Sequence, residues 1–244
     1  MTRADSLARD RDDPREGYDW SPRNPVRARD AASLVLIREG DRGPEVLMGQ
    51  RSKNLTFMPH RYVFPGGRLD TSDHTIRPAT DFRPSVKDKL SRSLSPERAR
   101  ALAVAAIRET FEETGLILGK PAAAHHGPMP EDWRGFLDRG LAPALDELDA
   151  IGRAITPAQL PKRFNARFFV ARADHLQGEI IGSGELINIG WLPVEEAIAM
   201  GIADITEIVA RLALRWFLHP QTRFTRDPIP LYCFRRGRRM VIDR

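Results

Sequence analysis

The sequence contains a single cysteine, Cys233, among its 244 residues. One cysteine excludes a disulfide within the chain and a zinc site built from several cysteines, so we expect Cys233 to pack as a small apolar residue. Long apolar runs are also absent, because no segment approaches the roughly 20 residues that cross a bilayer. The first 20 residues lack the apolar core of a secretory signal. These absences predict a soluble, cytoplasmic protein with no membrane partner.

A strong charge of one sign is absent as well. The chain has 38 Lys and Arg against 33 Asp and Glu, which gives a formal net charge of +5. This excess is modest for the chain length, so we do not expect a nucleic-acid partner. The densest basic cluster, four arginines within residues 235–239, is interpreted as a solvated tail.

The chain divides by composition into a leader and one domain. Residues 1–30 are charged, contain three prolines and show no apolar periodicity, which indicates a flexible leader. We assign residues 31–244 to one folded domain. Residues 71–95 are polar and contain Pro78 and Pro84, so we expect an insertion that lies outside the core.

The apolar patterns within the domain predict strands and helices without the strict alternation of a doubly wound sheet. Alternating or short apolar runs predict strands at 33–37, 45–48, 166–173 and 186–192. Helical patterns and start signals predict helices at 96–114, 131–139, 143–153 and 205–218, with another that opens at 193. The fold class is therefore α/β (α+β), with a mixed β-sheet sandwiched between α-helices.

Three carboxylates share one face near the end of the helix at 96–114. At about 100° per residue, Glu109, Glu112 and Glu113 fall within an arc of roughly 100°. Like charges at these spacings destabilise a helix by roughly 0.2–0.5 kcal/mol per pair, and carboxylates near a helix C-terminus oppose its dipole. A cation is expected to offset them. Without cysteines or paired histidines, hard oxygen ligands fit Mg²⁺ or Mn²⁺, which commonly take further ligands from phosphates.

Two short motifs carry a resemblance to a known family. The segment RETFEETGL at 108–116 follows PGG at 65–67, and together they resemble the signature of the Nudix hydrolases. The RETFEETGL segment matches every fixed position, with Thr110 in place of one aliphatic residue. The resemblance implies a Nudix fold and hydrolysis of a nucleoside diphosphate linked to another moiety, with Mg²⁺ or Mn²⁺ as the cofactor.

The resemblance also implies roles for individual residues. Glu109, Glu112 and Glu113 would be metal ligands, joined by the backbone carbonyl of Gly66. Arg108 would orient a carboxylate through a salt bridge.

The first half of the signature departs from the family pattern. Asp73 occupies the position of an expected glutamate, and 34 residues separate it from Arg108 where the family pattern has seven. A long insertion at this place is similar to the coenzyme A diphosphatase group that includes mammalian Nudix type 19. Either Asp73 or Glu97 is a candidate replacement for the missing glutamate.

A second pattern bears on the substrate. The segment RSKNLTFMPHRYVFPGG at 51–67 resembles the motif of the coenzyme A branch, with Thr56 and His60 as substitutions. The resemblance implies substrate contacts from the double glycine Gly66 and Gly67, and Arg51 and Arg61 are candidate phosphate ligands.

Two further residues are candidates through the same resemblance. Phe168, in a predicted strand, would flank an adenine, and packing in the core is the alternative. Glu185, which precedes a Trp-Leu-Pro segment, would serve as an extra metal ligand or a general base.

The sequence thus predicts a metal-dependent pyrophosphohydrolase, with coenzyme A or acyl-coenzyme A as the first substrate and a homodimer as a family expectation. The alternatives are ADP-ribose, dinucleotides or capped RNA as substrates, or a non-catalytic module that senses a ligand.

Overall fold

The computed structural model describes residues 26–52, 60–122, 129–221, 225, 227–235 and 238–243. The predicted leader therefore lies almost entirely outside the described residues. Within these ranges, no helix has both the length and the apolar character required to cross a membrane.

A mixed sheet forms the centre of the described fold. Its nine strands include two parallel pairs, β1 with β8 and β7 with β10, while the other pairs are antiparallel. The sheet order is β11-β10-β7-β8-β1-β2-β3, with β4 paired to β1 and β9 paired to β2. A separate two-stranded sheet pairs β5 with β6. The strands are β1 (Arg29–Gly40), β2 (Gly43–Arg51), β3 (Tyr62–Val63), β4 (Gly66–Arg68), β5 (Gly119–Pro121), β6 (Leu141–Pro143), β7 (Asp149–Ile155), β8 (Phe164–Arg172), β9 (Leu186–Pro193), β10 (Pro230–Arg235) and β11 (Arg238–Asp243).

Helices cover both faces of this sheet. Successive side chains of a strand point to opposite faces, so Leu34 and Leu36 of β1 pack in one apolar cluster while Val35 and Ile37 pack in the other. The first cluster includes residues of α1, α2 and α3, and the second includes residues of α4 and α5. The helices are α1 (Pro84–Ser91), α2 (Pro96–Thr114), α3 (Glu131–Leu137), α4 (Val194–Ala199) and α5 (Asp204–Leu218). The predicted mixed sheet between helices is confirmed.

The boundaries of α2 follow from its end residues. Ser95 has an extended backbone, and its side-chain oxygen accepts a hydrogen bond from the amide of Arg98 at 3.3 Å, which caps the helix. Pro96 occupies the first turn, where a missing amide hydrogen costs little. Gly115 ends the helix in a left-handed conformation with φ of 78°. These signals fix the position of the acidic residues at the helix end.

The inserted segment contributes to the core, which corrects the expectation that it lies outside. It contains α1 and a short 3₁₀ turn, Ser72–His74. Phe82, Val86 and Leu90 recur every four residues and are buried in the cluster beneath α2. The prolines and charged residues around these positions obscure the apolar spacing in the sequence.

The helix predicted at 143–153 is also wrong. This region contains a 3₁₀ turn, Leu145–Glu147, followed by strand β7. β7 pairs with β8 on one side and with β10 on the other. Gly152 would weaken a helix at this place. The backbone hydrogen bonds to β8 and β10 favour a strand instead.

A buried polar cluster joins the two helical layers through the start of β7. Asp149 is fully buried, and it accepts hydrogen bonds from Lys89 Nζ at 2.8 Å and from Trp216 Nε1 at 3.1 Å. Lys89 belongs to α1 and Trp216 belongs to α5, which lie on opposite faces of the sheet. The carboxylate therefore stabilises the position of both helices against the sheet.

We expect Asp149→Asn to lower the free energy of unfolding by about 1.5–3 kcal/mol, because Lys89 would lose its buried charged partner. Asp174→Asn is the matched control, since its ion pair with Arg172 lies near the surface and is worth at most about 1 kcal/mol. Urea unfolding of both variants measures the difference. Equal losses would contradict a special role for the buried carboxylate.

The prediction that Cys233 packs as a small apolar residue is confirmed. Cys233 is buried in β10, with 8% of its surface exposed.

Candidate active site

Helix α2 places the acidic residues at one edge of the sheet. Its apolar side, which includes Val104 and Ile107, is buried against the sheet. The acidic residues lie at increasing depth: Glu112 is half-buried, Glu109 keeps 16% of its side-chain surface, and Glu113 keeps 4% of its total surface. The acidic face is therefore a partly buried group of carboxylates.

Arg108 connects the acidic helix to the inserted segment. Its Nε donates to Asp73 Oδ1 at 2.8 Å, and its Nη2 donates to Asp73 Oδ2 at 3.1 Å. Its Nη1 lies 3.0 Å from both Glu109 Oε1 and Glu112 Oε2. Nη2 also donates to the backbone carbonyl of Arg68 at 3.0 Å. One buried guanidinium thus orients three carboxylates and holds the strand that carries the double glycine.

Glu113 has a different environment. Its Oε2 accepts a hydrogen bond from the backbone amide of Gly66 at 2.9 Å. Among the described residues, no lysine, arginine or histidine forms an ion pair with Glu113. A buried carboxylate without a cationic partner is costly in a folded protein. This carboxylate is the feature of the site that most directly indicates a missing cation.

The double glycine allows the β4 backbone to lie against these carboxylates. A side-chain carbon on Gly67 would overlap the carboxylate of Glu109, and one on Gly66 would overlap Ser33 Oγ and the carbonyl of Ala32. Only glycine leaves this space free without moving β4 or Glu109. The site is therefore formed by the end of α2 and the glycine strand facing it.

Burial and mutual repulsion raise the pKa values of the carboxylates. Burial raises the pKa of Glu109 to about 7, with Arg108 opposing the rise and the charge of Glu112 adding to it. Burial raises the pKa of Glu113 to about 8, partly offset by the amide of Gly66 and increased by the charge of Glu109. The pKa of Glu112 is also raised, mainly by burial. Burial disfavours the charged form of Arg108, but the hydrogen bonds and charges of its partners outweigh it and raise its pKa.

The donor set suits a divalent cation. Glu109 and Glu113 are one helical turn apart, and the charge of Glu109 raises the pKa of Glu113. Among the described residues, no group of three or more His, Cys, Asp or Glu side chains is arranged to hold a metal ion. Glu109 and Glu112 both contact Arg108. Buried carboxylate oxygens of this kind fit Mg²⁺ or Mn²⁺. The metal roles of Glu109, Glu112, Glu113 and the Gly66 carbonyl stay predictions.

Comparison with known proteins places this geometry in a family. No family model matches the chain. The crystal structure of a NUDIX hydrolase from Alicyclobacillus acidocaldarius is 31% identical and has a TM-score of 0.58, and the match covers 77% of this chain and 92% of that one. The chain belongs to the Nudix hydrolase family. Its mixed sheet between helices is therefore the Nudix fold, as the resemblance implied.

Curated Nudix relatives match over shorter parts of their length. Nudix hydrolase 7 from Caenorhabditis elegans is 27% identical over 180 residues, which cover 70% of this chain and 53% of that protein. Acyl-coenzyme A diphosphatase NUDT19 from Homo sapiens is 31% identical over 144 residues, which cover 43% of this chain and 38% of that protein. The chain thus spans about half or less of the length of these relatives.

The structure distinguishes the two candidates for the displaced Nudix glutamate. Asp73 is 1% exposed, and both its carboxylate oxygens contact Arg108. The amide of Asp70 also donates to Asp73 at 2.8 Å. Glu97 is exposed in the first turn of α2, three helical turns before Arg108. Asp73 is therefore the residue that pairs with the Nudix arginine.

Two predicted substrate ligands do not join this group. Arg61 donates to the carbonyl of Gly201, which follows α4 on the other face of the sheet. Phe168 is 9% exposed and packs in the apolar cluster beneath α4 and α5. Its neighbour Phe169 stacks on Phe82 in the opposite cluster. The alternative of core packing therefore describes Phe168 in this structure.

Two other predicted residues do lie near the carboxylates. The positive charge of Arg51 lowers the pKa of Glu113, and the negative charge of Glu185 raises it. Glu185 is exposed, and its backbone carbonyl accepts a hydrogen bond from the amide of Ser52. The loop before β9 and the end of β2 therefore bring one acid and one cation to the site.

Sequence reasoning missed two contributors. The carbonyl of Arg68 anchors Arg108, and the charge of Asp132 in α3 adds to the raised pKa of Glu112. A backbone carbonyl carries no sequence signal, and the approach of α3 to α2 depends on tertiary packing.

The raised pKa values predict a pH-dependent stability without divalent metal. An unfolded glutamate releases its proton near pH 4.5, whereas Glu109 and Glu113 keep theirs in the native state to about 7 and about 8. The native state therefore binds more protons across this window, and stability falls as pH rises from about 4.5 to about 8.

Thermal unfolding of metal-free protein between pH 4.5 and 8.5 measures this dependence. Glu113→Gln should flatten the fall, because the substitution removes the most strongly raised carboxyl. An unchanged pH profile in this variant would contradict the buried, unpaired state of Glu113.

Proposed function

We propose that this Nudix chain hydrolyses the diphosphate linkage of a nucleoside diphosphate derivative with the help of Mg²⁺ or Mn²⁺. The observation that carries the proposal is the buried carboxylate of Glu113, which accepts a hydrogen bond from the Gly66 amide beside Glu109. The divalent ion of a diphosphate substrate would add positive charge next to these carboxylates. The ion, when bound, stabilises negative charge that develops on the diphosphate oxygens.

The residues of the chain have separate roles in this proposal. Glu109 and Glu113 hold the cation, and Arg108 fixes the orientation of Glu109 and Glu112 through its Nη1 contacts. Asp73 keeps the guanidinium in place through two hydrogen bonds. Preorganised side chains avoid the cost of rearrangement during the reaction. The four carboxylates and Arg108 therefore act as one unit.

Glu185 is the proposed proton acceptor for the attacking water. It is exposed at the edge of the site, and its charge acts on Glu113. A general base must reach the water by a hydrogen bond, and an exposed loop residue has the freedom to do so. Glu185→Gln should lower kcat while leaving Mn²⁺ affinity nearly unchanged, which separates this role from that of a metal ligand.

Coenzyme A or acyl-coenzyme A is the proposed substrate. The spacing of Arg51, Ser52 and the FPGG segment supports it, as does the likeness to human acyl-coenzyme A diphosphatase over 144 residues. The charge of Arg51 acts on Glu113, which places this cation close to the proposed diphosphate site. Addition of water across the diphosphate of coenzyme A would give 3′,5′-ADP and 4′-phosphopantetheine.

A substrate panel tests the proposal. Coenzyme A, an acyl-coenzyme A, ADP-ribose, diadenosine tetraphosphate and capped RNA are incubated with Mg²⁺ or Mn²⁺, and the products are separated by chromatography. We expect the highest kcat/KM for a coenzyme A compound and no turnover after chelation of the metal. Preference for another diphosphate would overturn the substrate assignment, and no turnover of any compound would favour a non-catalytic ligand-sensing module.

A further inference from the structure

The inserted segment forms a cleft beside the N-terminal half of α2, whereas the acidic residues lie at the C-terminal end of this helix. Residues 74–81 and Arg100 of α2 line this open cleft, whose volume is about 500 Å³. The inserted segment contributes His74 and Arg77 to the lining, and α2 contributes Arg100. The proposed diphosphate chemistry does not use the cleft.

The charges around the cleft are unequal. Asp81 is its one lining carboxylate, and the Lys87 ammonium contacts that group at 2.8 Å while Arg100 lies 3.5 Å away. Arg77 is exposed, and among the described residues its guanidinium makes no hydrogen bond or ion pair. The lining therefore holds two arginines, Arg77 and Arg100, against the one carboxylate of Asp81. This excess favours an anion and disfavours a second divalent cation.

The cleft is held in place by contacts to the rest of the fold. Thr80 Oγ1 donates to Asp146 Oδ1 at 2.6 Å, and the amide of Ala79 donates to the carbonyl of Pro143 at 2.9 Å. Ile76 is 3% exposed and packs in the core. A wall fixed by its own backbone loses little conformational entropy when a ligand binds.

The cleft and the active site share two structural elements. Asp73 and His74 are neighbours in one 3₁₀ turn, where the first contacts Arg108 and the second lines the cleft. Arg100 and Arg108 lie eight residues apart on α2, which corresponds to about 12 Å along the helix. A ligand with two separated anionic groups can therefore meet both regions.

We propose that this cleft binds a phosphate monoester. Arginine side chains bind phosphate through paired hydrogen bonds, and the lining holds one more arginine than carboxylate. The inference rests on the proposed function, because the favoured source is a second phosphate on a substrate that also carries a diphosphate. A free phosphate ion offers the same chemistry and is the other source.

The test compares coenzyme A with 3′-dephospho-coenzyme A, which lacks only the monoester. Arg77→Glu should lower kcat/KM for coenzyme A by roughly tenfold or more, as expected for loss of a charge-assisted contact, and should leave the dephospho substrate unchanged. Arg77→Lys should retain most of the preference. Arg215→Glu is the matched control, since Arg215 is exposed on α5 in the other helical layer.

Inorganic phosphate distinguishes the two sources. If phosphate changes turnover of both substrates in the wild type and not in Arg77→Glu, the cleft binds a free phosphate ion. If Arg77→Glu equals the wild type in substrate preference and in its response to phosphate, the proposal is overturned. Because Arg77 is exposed, an unchanged melting temperature should accompany each result.

Ligand binding tests the cleft even if the chain has no hydrolase activity. If the wild type cleaves no diphosphate, calorimetric binding of adenosine 3′-monophosphate is compared with binding of adenosine. Tighter binding of the phosphorylated compound, lost in Arg77→Glu and kept in Arg215→Glu, would support the cleft independently of catalysis. Equal binding of the two compounds would overturn it.

Discussion

Replacing Glu113 with glutamine is expected to lower kcat/KM by roughly 10²–10³-fold, which corresponds to about 2.7–4 kcal/mol of transition-state stabilisation. The reason is the loss of a negative ligand charge from the proposed cation site. The same substitution should raise the melting temperature of metal-free protein at pH 8, because it removes a buried carboxylate without an ionic partner. Activity and stability therefore change in opposite directions. Steady-state kinetics and thermal unfolding with a chelator measure the two effects.

Glu97→Gln is the control for this prediction. Glu97 lies on the same helix and receives the same chemical change, but it is exposed in the first turn. We expect its kcat/KM to stay within about twofold of the wild type, because Glu97 lies about three helical turns from Arg108. A large loss in Glu97→Gln, together with a small one in Glu113→Gln, would contradict the assignment of the site.

Asp73→Ala is expected to lower the free energy of unfolding by about 3–5 kcal/mol, because it leaves the buried Arg108 guanidinium without its bidentate partner. Activity should fall as well, since Arg108 would no longer hold Glu109 and Glu112 in one orientation. Urea unfolding gives the stability, and turnover measured well below the melting temperature gives the activity.

A double variant separates the two consequences of losing Asp73. Replacing Arg108 with methionine in the Asp73→Ala background removes the unpaired charge and should recover part of the lost stability. It should not recover activity, because the guanidinium contacts to Glu109 and Glu112 remain absent. Recovery of activity in the double variant would show that the pair has only a structural role.

The sequence was sufficient to predict the central helix and its acidic face. Ser95, Pro96 and Gly115 are local signals, and the energies of capping and of the left-handed glycine depend on few distant contacts. The spacing of Glu109 and Glu113 follows from helical geometry alone. Features that depend on one helix were therefore predictable.

Features that depend on distant contacts were not. The insertion separates Asp73 from Arg108 by 34 residues, so sequence spacing left Asp73 and Glu97 as alternatives. Burial against α2 decides between them. Segment 143–153 forms β7 because β8 and β10 supply its hydrogen-bond partners. Local patterns do not report which strands will be neighbours.

The aromatic pair in β8 illustrates the limits of side-chain parity. Parity predicts that Phe168 and Phe169 face opposite sides, as they do, but it does not say which side holds the carboxylates. Packing of α2 against one face and of α5 against the other makes both rings core residues. A strand residue can be assigned to the binding face only when the helices that cover each face of the sheet are known.

The central claim is that Glu109 and Glu113 hold a divalent cation next to the double glycine. Anomalous diffraction from crystals soaked in Mn²⁺ tests it directly. We predict an anomalous peak within about 2.0–2.3 Å of oxygens of both carboxylates, close to the Gly66 backbone. A structure at high Mn²⁺ concentration with no peak there, or with peaks only elsewhere on the chain, would contradict the account.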